Sequence, residues 1–503
     1  MRNPADKACH NCRRRRLKCD RDVPACRKCA LTGQECLGYG KLFVWNEGVA
    51  SRGKMMGKTY PVAKDSNRAS TNRAISTGND LIPARHYDFL PLQLPLLDPL
   101  YQGLDDASRG YLSHFASTVS SDMVIADISD VNPFRSLIPF CRDHPILLHI
   151  ILANSALHIS CLHRRGLDGQ LSDSADRSSH AIVDALSAKH KALVMLRRAL
   201  EDIAHIDVDV IAAVIHLFII FELISPGEDE WKAHVEGALR LISYLHTLEI
   251  RPASPAALVR DCITSDCLTY YILGSTLMNT TTLSDPFLPG DIIPSLTRAE
   301  LNSYLSLPTP LLQTLFKACE LSNRVSLGEM LGADPTPLLT QASDLLNTVQ
   351  SFNVYAWAAT LEGDPSSTRT LSRIHTALAH QNAVTIYILR SVEQISPAPM
   401  AGLRDTESLV TEIITHLSLV GPTDPFFKAT SWPTFIAGAE TDNAVYREWA
   451  VQRLREFWNL IPWGYLRTEE DVMRRAWGLR DGQERRGGWI QQLKGMERHW
   501  LIA

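Results

Sequence analysis

The chain has 503 residues, 51 Lys and Arg against 55 Asp and Glu, and a formal net charge of −4. Its opening, MRNPADKA, has no apolar run that could serve as a secretory signal, so a reducing compartment is expected and a disulfide-stapled secreted protein is excluded. The near-neutral total conceals a division: residues 1–75 hold 17 Lys and Arg against 6 Asp and Glu, the rest 34 against 49, and so acidic a remainder is excluded as a general grip on polyanions.

Six of the 11 cysteines fall in CHNCRRRRLKC (9–19) and CRKCALTGQEC (26–36), two copies of C-x2-C-x6-C. Tetrahedral zinc takes four ligands, so one ion leaves two thiols idle and two separate ions need eight. Six thiolates serve two zinc ions if two are shared. The repeat makes Cys9 and Cys26 the shared pair, with Cys12, Cys19, Cys29 and Cys36 as terminal ligands. Such a cluster carries about two net negative charges, which offset only part of the surrounding cations.

The two copies differ in what they expose. RRRRLK follows Cys12, whereas ALTGQE follows Cys29, so the first copy alone is fitted to a polyanion. The cations need a counter-charge, and a phosphate backbone supplies one. A structural zinc module without nucleic acid is the weaker alternative.

This spacing, with CRRRRLKC and with Pro24 two residues before the fourth cysteine, resembles the fungal Zn2Cys6 binuclear-cluster transcription factors. The resemblance implies a helix plus an extended strand in each half, and a first helix whose C-terminal end enters the major groove of double-stranded DNA over a CGG triplet. It implies that Arg16 and Lys18 read bases while Arg13 and Arg15 lie on or near phosphates, with Leu17 packing between them. Where the family often has Lys, this chain has Arg16, which can still pair bidentately with guanine. Pro24 takes the place of the proline that turns the chain between the halves.

Residues 48–55, GVASRGKM, and the overlapping GKMMGKT imitate a phosphate-binding loop. Met55 stands where a hydroxyl ligand is required in the first, and only three residues separate the glycines in the second, so a basic flexible arm is the expectation. CLGYG followed by an aromatic run and GVASRGK is similar to fungal regulators of the acriflavine-sensitivity type. No apolar a/d pattern lasts two heptads between residues 37 and 80, so no zipper is expected and the oligomeric state stays open. Residues 66–80 read as linker.

From about residue 86 long periodic apolar segments begin. Residues 145–166, 180–203 and 209–224 read as helices; the last, with 16 residues and with His216 and Glu222 inside it, reads as a buried core helix rather than a membrane span. The remainder can bury a large core, in two helical subdomains. YLSHF, NPFRSLIPF, EWKAHVEGALRLI and SWPTFIAG resemble the second type of fungal-specific transcription factor regulatory domain. The fold class expected is thus a small Zn2Cys6 binuclear cluster domain plus a large all-α regulatory domain: residues 1–40 for the cluster, 41–85 for a basic flexible linker, 86–503 for the helical domain.

No nucleophile elbow, HExxH helix or dinucleotide-binding glycine turn occurs in the body. Cys141, Cys161, Cys262, Cys267 and Cys319 are dispersed and read as core. His234 and Glu236 point apart on one helix, the GEDEW turn at 227–231 reads as solvated, and Trp449, Trp458, Trp463, Trp477, Trp489 and Trp500 read as core. No catalytic residue is assigned. The function expected is that of a nuclear, zinc-dependent transcription regulator of the RNA polymerase II type that binds CGG-containing promoter sites and meets transcription machinery or co-regulators, with no membrane partner. The alternative is a helical adaptor or an unrecognised enzyme tethered to chromatin by the cluster.

Overall fold

Proline at a first helical position costs no hydrogen bond, and Pro145 begins the first long apolar helix for that reason. The computed structural model describes residues 7–15, 17–22, 26–32, 36, 103–127, 132–166, 173–201, 207–226, 230–247, 256–279, 292–332, 334–361, 367–396, 405–481, 488–496 and 498–503. No β-strand occurs among them. The chain divides into two compact units, Met1–Arg85 and His86–Ala503.

The first unit holds two short helices, α1 (His10–Arg14) and α2 (Arg27–Leu31). The second begins with α3 (Asp106–His114), whose cap Asp105 accepts from the Ser108 N–H at 2.7 Å. A π-helical turn, Phe115–Val119, and one further α-turn prolong it, and a 3-10 segment, Arg135–Arg142, follows. Then come α4 (Pro145–Gly166), α5 (Asp173–Glu201), α6 (Val208–Ile224), α7 (Trp231–Thr247), α8 (Ala256–Ser275) and α9 (Ile292–Ala299). The chain continues with α10 (Thr309–Leu331), α11 (Thr336–Ser351), α12 (Val354–Leu361), α13 (Thr368–Val392) and α14 (Thr406–Ser418). It ends with α15 (Ser431–Glu440), α16 (Ala444–Leu460), α17 (Tyr465–Asp481) and α18 (Trp489–Lys494).

Helix α6 is buried on every side from Val210 to Ile224, which is why it lacks amphipathic periodicity. Burying each of its large apolar side chains stabilises the fold by about 1.5–3 kcal/mol. Of its polar residues, Glu222 accepts from Lys189 of α5 at 2.7 Å, while His216 stacks on Phe134 and lies 3.5 Å from Asp266. Helix α4 is long and apolar enough to cross a membrane, yet it packs along α5 and α6, and the buried Asn154 donates to the Leu217 carbonyl at 3.0 Å.

Helix α15, with SWPTFIAG, is likewise wholly buried and is surrounded by α13, α14, α16 and α17. Gly464, just before α17, donates its N–H to the Ile224 carbonyl at the end of α6, and a Cβ there would lie 2.6 Å from the Ser225 carbonyl oxygen. The buried residues Trp500–Ala503 reach the same interior, where Ser431 of α15 donates to the Ala503 carbonyl.

These junctions correct the expectation of two helical subdomains. One hydrophobic core runs from Tyr111 to Ala503, with a small satellite around Trp357, because α17 and the turn before it join the C-terminal half to the end of α6. The helix expected over 180–203 spans Asp173–Glu201, starting earlier in a polar stretch that carries no apolar signal. The acidic turn is not simply solvated either: Glu230 accepts from Lys189 at 2.9 Å and Trp231 is buried.

Candidate metal centre and nucleic-acid interface

Cys9 and Cys26 occupy the same place in the two halves of the first unit. Each caps its helix: the Cys9 Sγ accepts from the Cys12 N–H and the Cys26 Sγ from the Cys29 N–H, both at 3.4 Å. A sulfur held at a helix start lies close to the second cysteine of its C-x2-C pair, so the two short helices bring four sulfurs inward. The Cys9 and Cys26 sulfurs are 3.6 Å apart, those of Cys12 and Cys26 3.7 Å, and those of Cys9 and Cys29 3.8 Å.

The six sulfurs form two sets of four, Cys9, Cys12, Cys19, Cys26 and Cys9, Cys26, Cys29, Cys36, with all atoms in each set within 4.8 Å. Cys9 and Cys26 belong to both. Among the described residues these are the only groups of three or more His, Cys, Asp or Glu side chains in metal-holding geometry. Cys9, Cys12, Cys26 and Cys29 are buried among one another, with Cys19 and Cys36 packed at the edge. Burial pushes the Cys9 thiol up to about 12 and raises Cys26 further, so cations must displace these protons. At Cys19 burial acts in the same direction but is outweighed by N–H groups of Cys9 and Arg21, which bring it down to about 7.

The link between the halves contains a feature that the sequence reading missed. Asp20 accepts from the Arg27 N–H at the start of α2 at 2.8 Å, and Arg27 pairs with Asp22 at 3.0 Å. An acidic residue ahead of a short helix was the available signal. Arg21, between the two aspartates, adopts a left-handed φ of 63°. Pro24 lies outside the described residues.

Arg13, Arg15 and Lys18 are exposed on and just beyond α1. Leu17 is 41% exposed, so it does not pack as an interior residue, although its N–H donates to the Cys12 carbonyl. Arg16, the linker at 41–85 and both glycine-lysine frames lie outside the described residues.

The body adds no metal centre among its described residues. Its five cysteines are buried, and burial pushes Cys141 up to about 12 and Cys161 and Cys319 up to about 11. Cys262 and Cys267 sit in the core of α8. His234 stacks on Phe218 and burial lowers its pKa to about 4, which suits packing rather than proton transfer. Trp463, Trp489 and Trp500 are buried, and Trp449, Trp458 and Trp477 pack against the core.

Residues 7–43 match the fungal Zn(2)-Cys(6) binuclear cluster domain, and residues 110–503 match the fungal specific transcription factor domain. The acriflavine sensitivity control protein acr-2 of Neurospora crassa is similar at 31% identity over 99% of this chain and 97% of its own. The sterol uptake control protein 2 of Candida albicans is similar over 79 residues at 40% identity, which is 15% of this chain and 11% of that one. No solved structure matches. The cofactor of such a cluster domain is two zinc ions, and two tetrads of sulfur donors sharing two members fit that complement.

Proposed function

The chain belongs to the fungal Zn(2)-Cys(6) transcription factors, and on that premise we propose that it works in the nucleus by setting the end of α1 into the major groove over CGG-like triplets. It is a DNA-binding transcription regulator that carries two zinc ions. Cys9, Cys12, Cys19, Cys26, Cys29 and Cys36 hold the ions, which supply the folding energy of a segment too small to bury a core of its own.

Cations then act by position. Arg16 and Lys18 reach guanine O6 and N7, while Arg13 and Arg15 neutralise phosphates and fix the register. Residues 1–40 form the cluster domain, 41–85 a basic arm that adds sequence-independent attraction, and 86–503 the regulatory domain that meets co-regulators; the two compact units support that division. No helical zipper pattern follows the cluster, so pairing of two chains, where it occurs, uses other surfaces.

The observation that carries this reading is the pair of four-sulfur sets sharing Cys9 and Cys26, joined directly to a run of cations. Selection of bound sequences from a random DNA pool by the zinc-loaded chain tests it. Enrichment of CGG-like triplets is the expected result, and retention of DNA without sequence enrichment overturns it.

A further inference from the structure

The first turn of α6, one face of α8 and the 3-10 segment Arg135–Arg142 do not close fully on one another. They leave a cavity of about 120 Å³ floored by Leu137, Val210, Ala212 and Ile263, all buried. An apolar space near 150 Å³ takes a benzene-sized molecule, and this one, which opens to solvent past Asp207 and Phe140, is of the size of a single small ring. Phe140, 43% exposed, stands on the lining.

The charge at this place is uneven. Arg260 on the lining donates through Nε and Nη2 to the two carboxylate oxygens of Asp209, both at 2.6 Å. Its neighbour Asp261 is taken in the same bidentate way by Arg298, at 2.7 and 2.8 Å. The third carboxylate, Asp207, is exposed on the lining and accepts the Asp209 N–H at 3.0 Å as the cap of α6. Asp261 and Arg298 lie off the lining, so at the cavity itself two carboxylates, Asp207 and Asp209, face the one guanidinium of Arg260 around an apolar floor.

We propose that this cavity is a binding site for a small apolar cation, with the ligand's ring on Leu137, Ala212 and Ile263 and its positive group beside Asp207. An apolar pocket with a few convergent polar groups is the usual form of a small-molecule site. A positive group gains from the excess carboxylate, an anion meets repulsion, and a neutral ring gains only burial. The site lies wholly within the helical body, so the proposal stands apart from the DNA-reading one and can fail without it.

The test uses three probes of one shape, benzylammonium, toluene and benzoate, titrated into the zinc-loaded full chain by calorimetry or ligand-observed NMR. Benzylammonium is expected to bind about threefold or more tighter than toluene, and benzoate weakest. Asp207→Asn keeps the helix cap and is expected to remove the preference while leaving toluene unchanged. Ala212→Leu fills the floor and is expected to weaken all three; should that variant fail to fold, Asp207→Asn still decides. Equal binding of the three probes, no binding to a folded chain, or an undiminished preference in Asp207→Asn overturns the proposal.

Discussion

The Cys9 and Cys26 sulfurs, each capping its own helix and each common to both donor sets, lie 3.6 Å apart. If each set holds one ion, removing either takes a ligand from both ions, whereas removing Cys12 or Cys36 takes one from a single ion. Metal analysis of the purified chain is therefore expected to give two zinc in the parent, near zero in Cys9→Ala and Cys26→Ala, and about one in Cys12→Ala. Equal losses across all six positions contradict the shared arrangement.

The proposed base-reading and phosphate-bound cations are expected to separate by their response to sequence and salt. Lys18→Ala or Arg16→Ala is expected to cost about 1–3 kcal/mol on a CGG site and much less on scrambled DNA. Arg13→Ala is expected to weaken both sites alike and to reduce the salt slope by about one unit. Titration of each variant against both DNAs at two salt concentrations measures this, and identical behaviour of all the variants contradicts it.

Glu440, buried at the end of α15, accepts from Arg390 Nε at 2.9 Å and from Trp489 Nε1 at 3.0 Å, and lies 3.2 Å from Arg480. Burial alone would push its carboxyl up, but these partners outweigh it and hold the pKa below the ordinary value. Its stabilising contribution is therefore complete above the unfolded carboxylate pKa of about 4.3 and is lost as pH falls through the lower folded value. Glu440→Gln is expected to cost about 3–5 kcal/mol in urea unfolding at neutral pH, and its deficit is expected to shrink in acid. A deficit that does not change with pH contradicts the ion pairing.

At Gly464 the obstacle to a methyl group is backbone, which no side-chain rotation relieves: the Ser225 carbonyl oxygen is 2.6 Å from the Cβ position. Gly464→Ala is expected to destabilise the body by about 1–3 kcal/mol, read as a lowered melting temperature with unchanged zinc content. An unchanged melting temperature contradicts the close approach of this turn to α6.

Sequence alone reveals most where partners are near in the chain. The cluster is legible because all its sulfurs lie between residues 9 and 36 and their spacing repeats, and the helix at 145–166 because Pro145 and Gly166 mark both ends. The first turns of α5 escape because DSADRSS is polar. Ion pairs such as Arg390 with Glu440, 50 residues apart, leave no trace in a single sequence, nor does the cavity, whose walls come from three separate elements. Two subdomains were expected because nothing in the local pattern announces that α17 returns to α6.

The burial of Trp500–Ala503 sets a condition on biosynthesis. The cluster segment is translated before the helical core, and that core lacks part of its interior until residues 500–503 have left the ribosome. A stop codon placed just before residue 500 is therefore expected to leave the cluster segment intact on an unfinished body. On the proposed function such a product is expected to occupy DNA sites without regulating them, so these truncations are expected to interfere with the untruncated protein in the same cell, whereas loss of Cys9 is expected to be recessive.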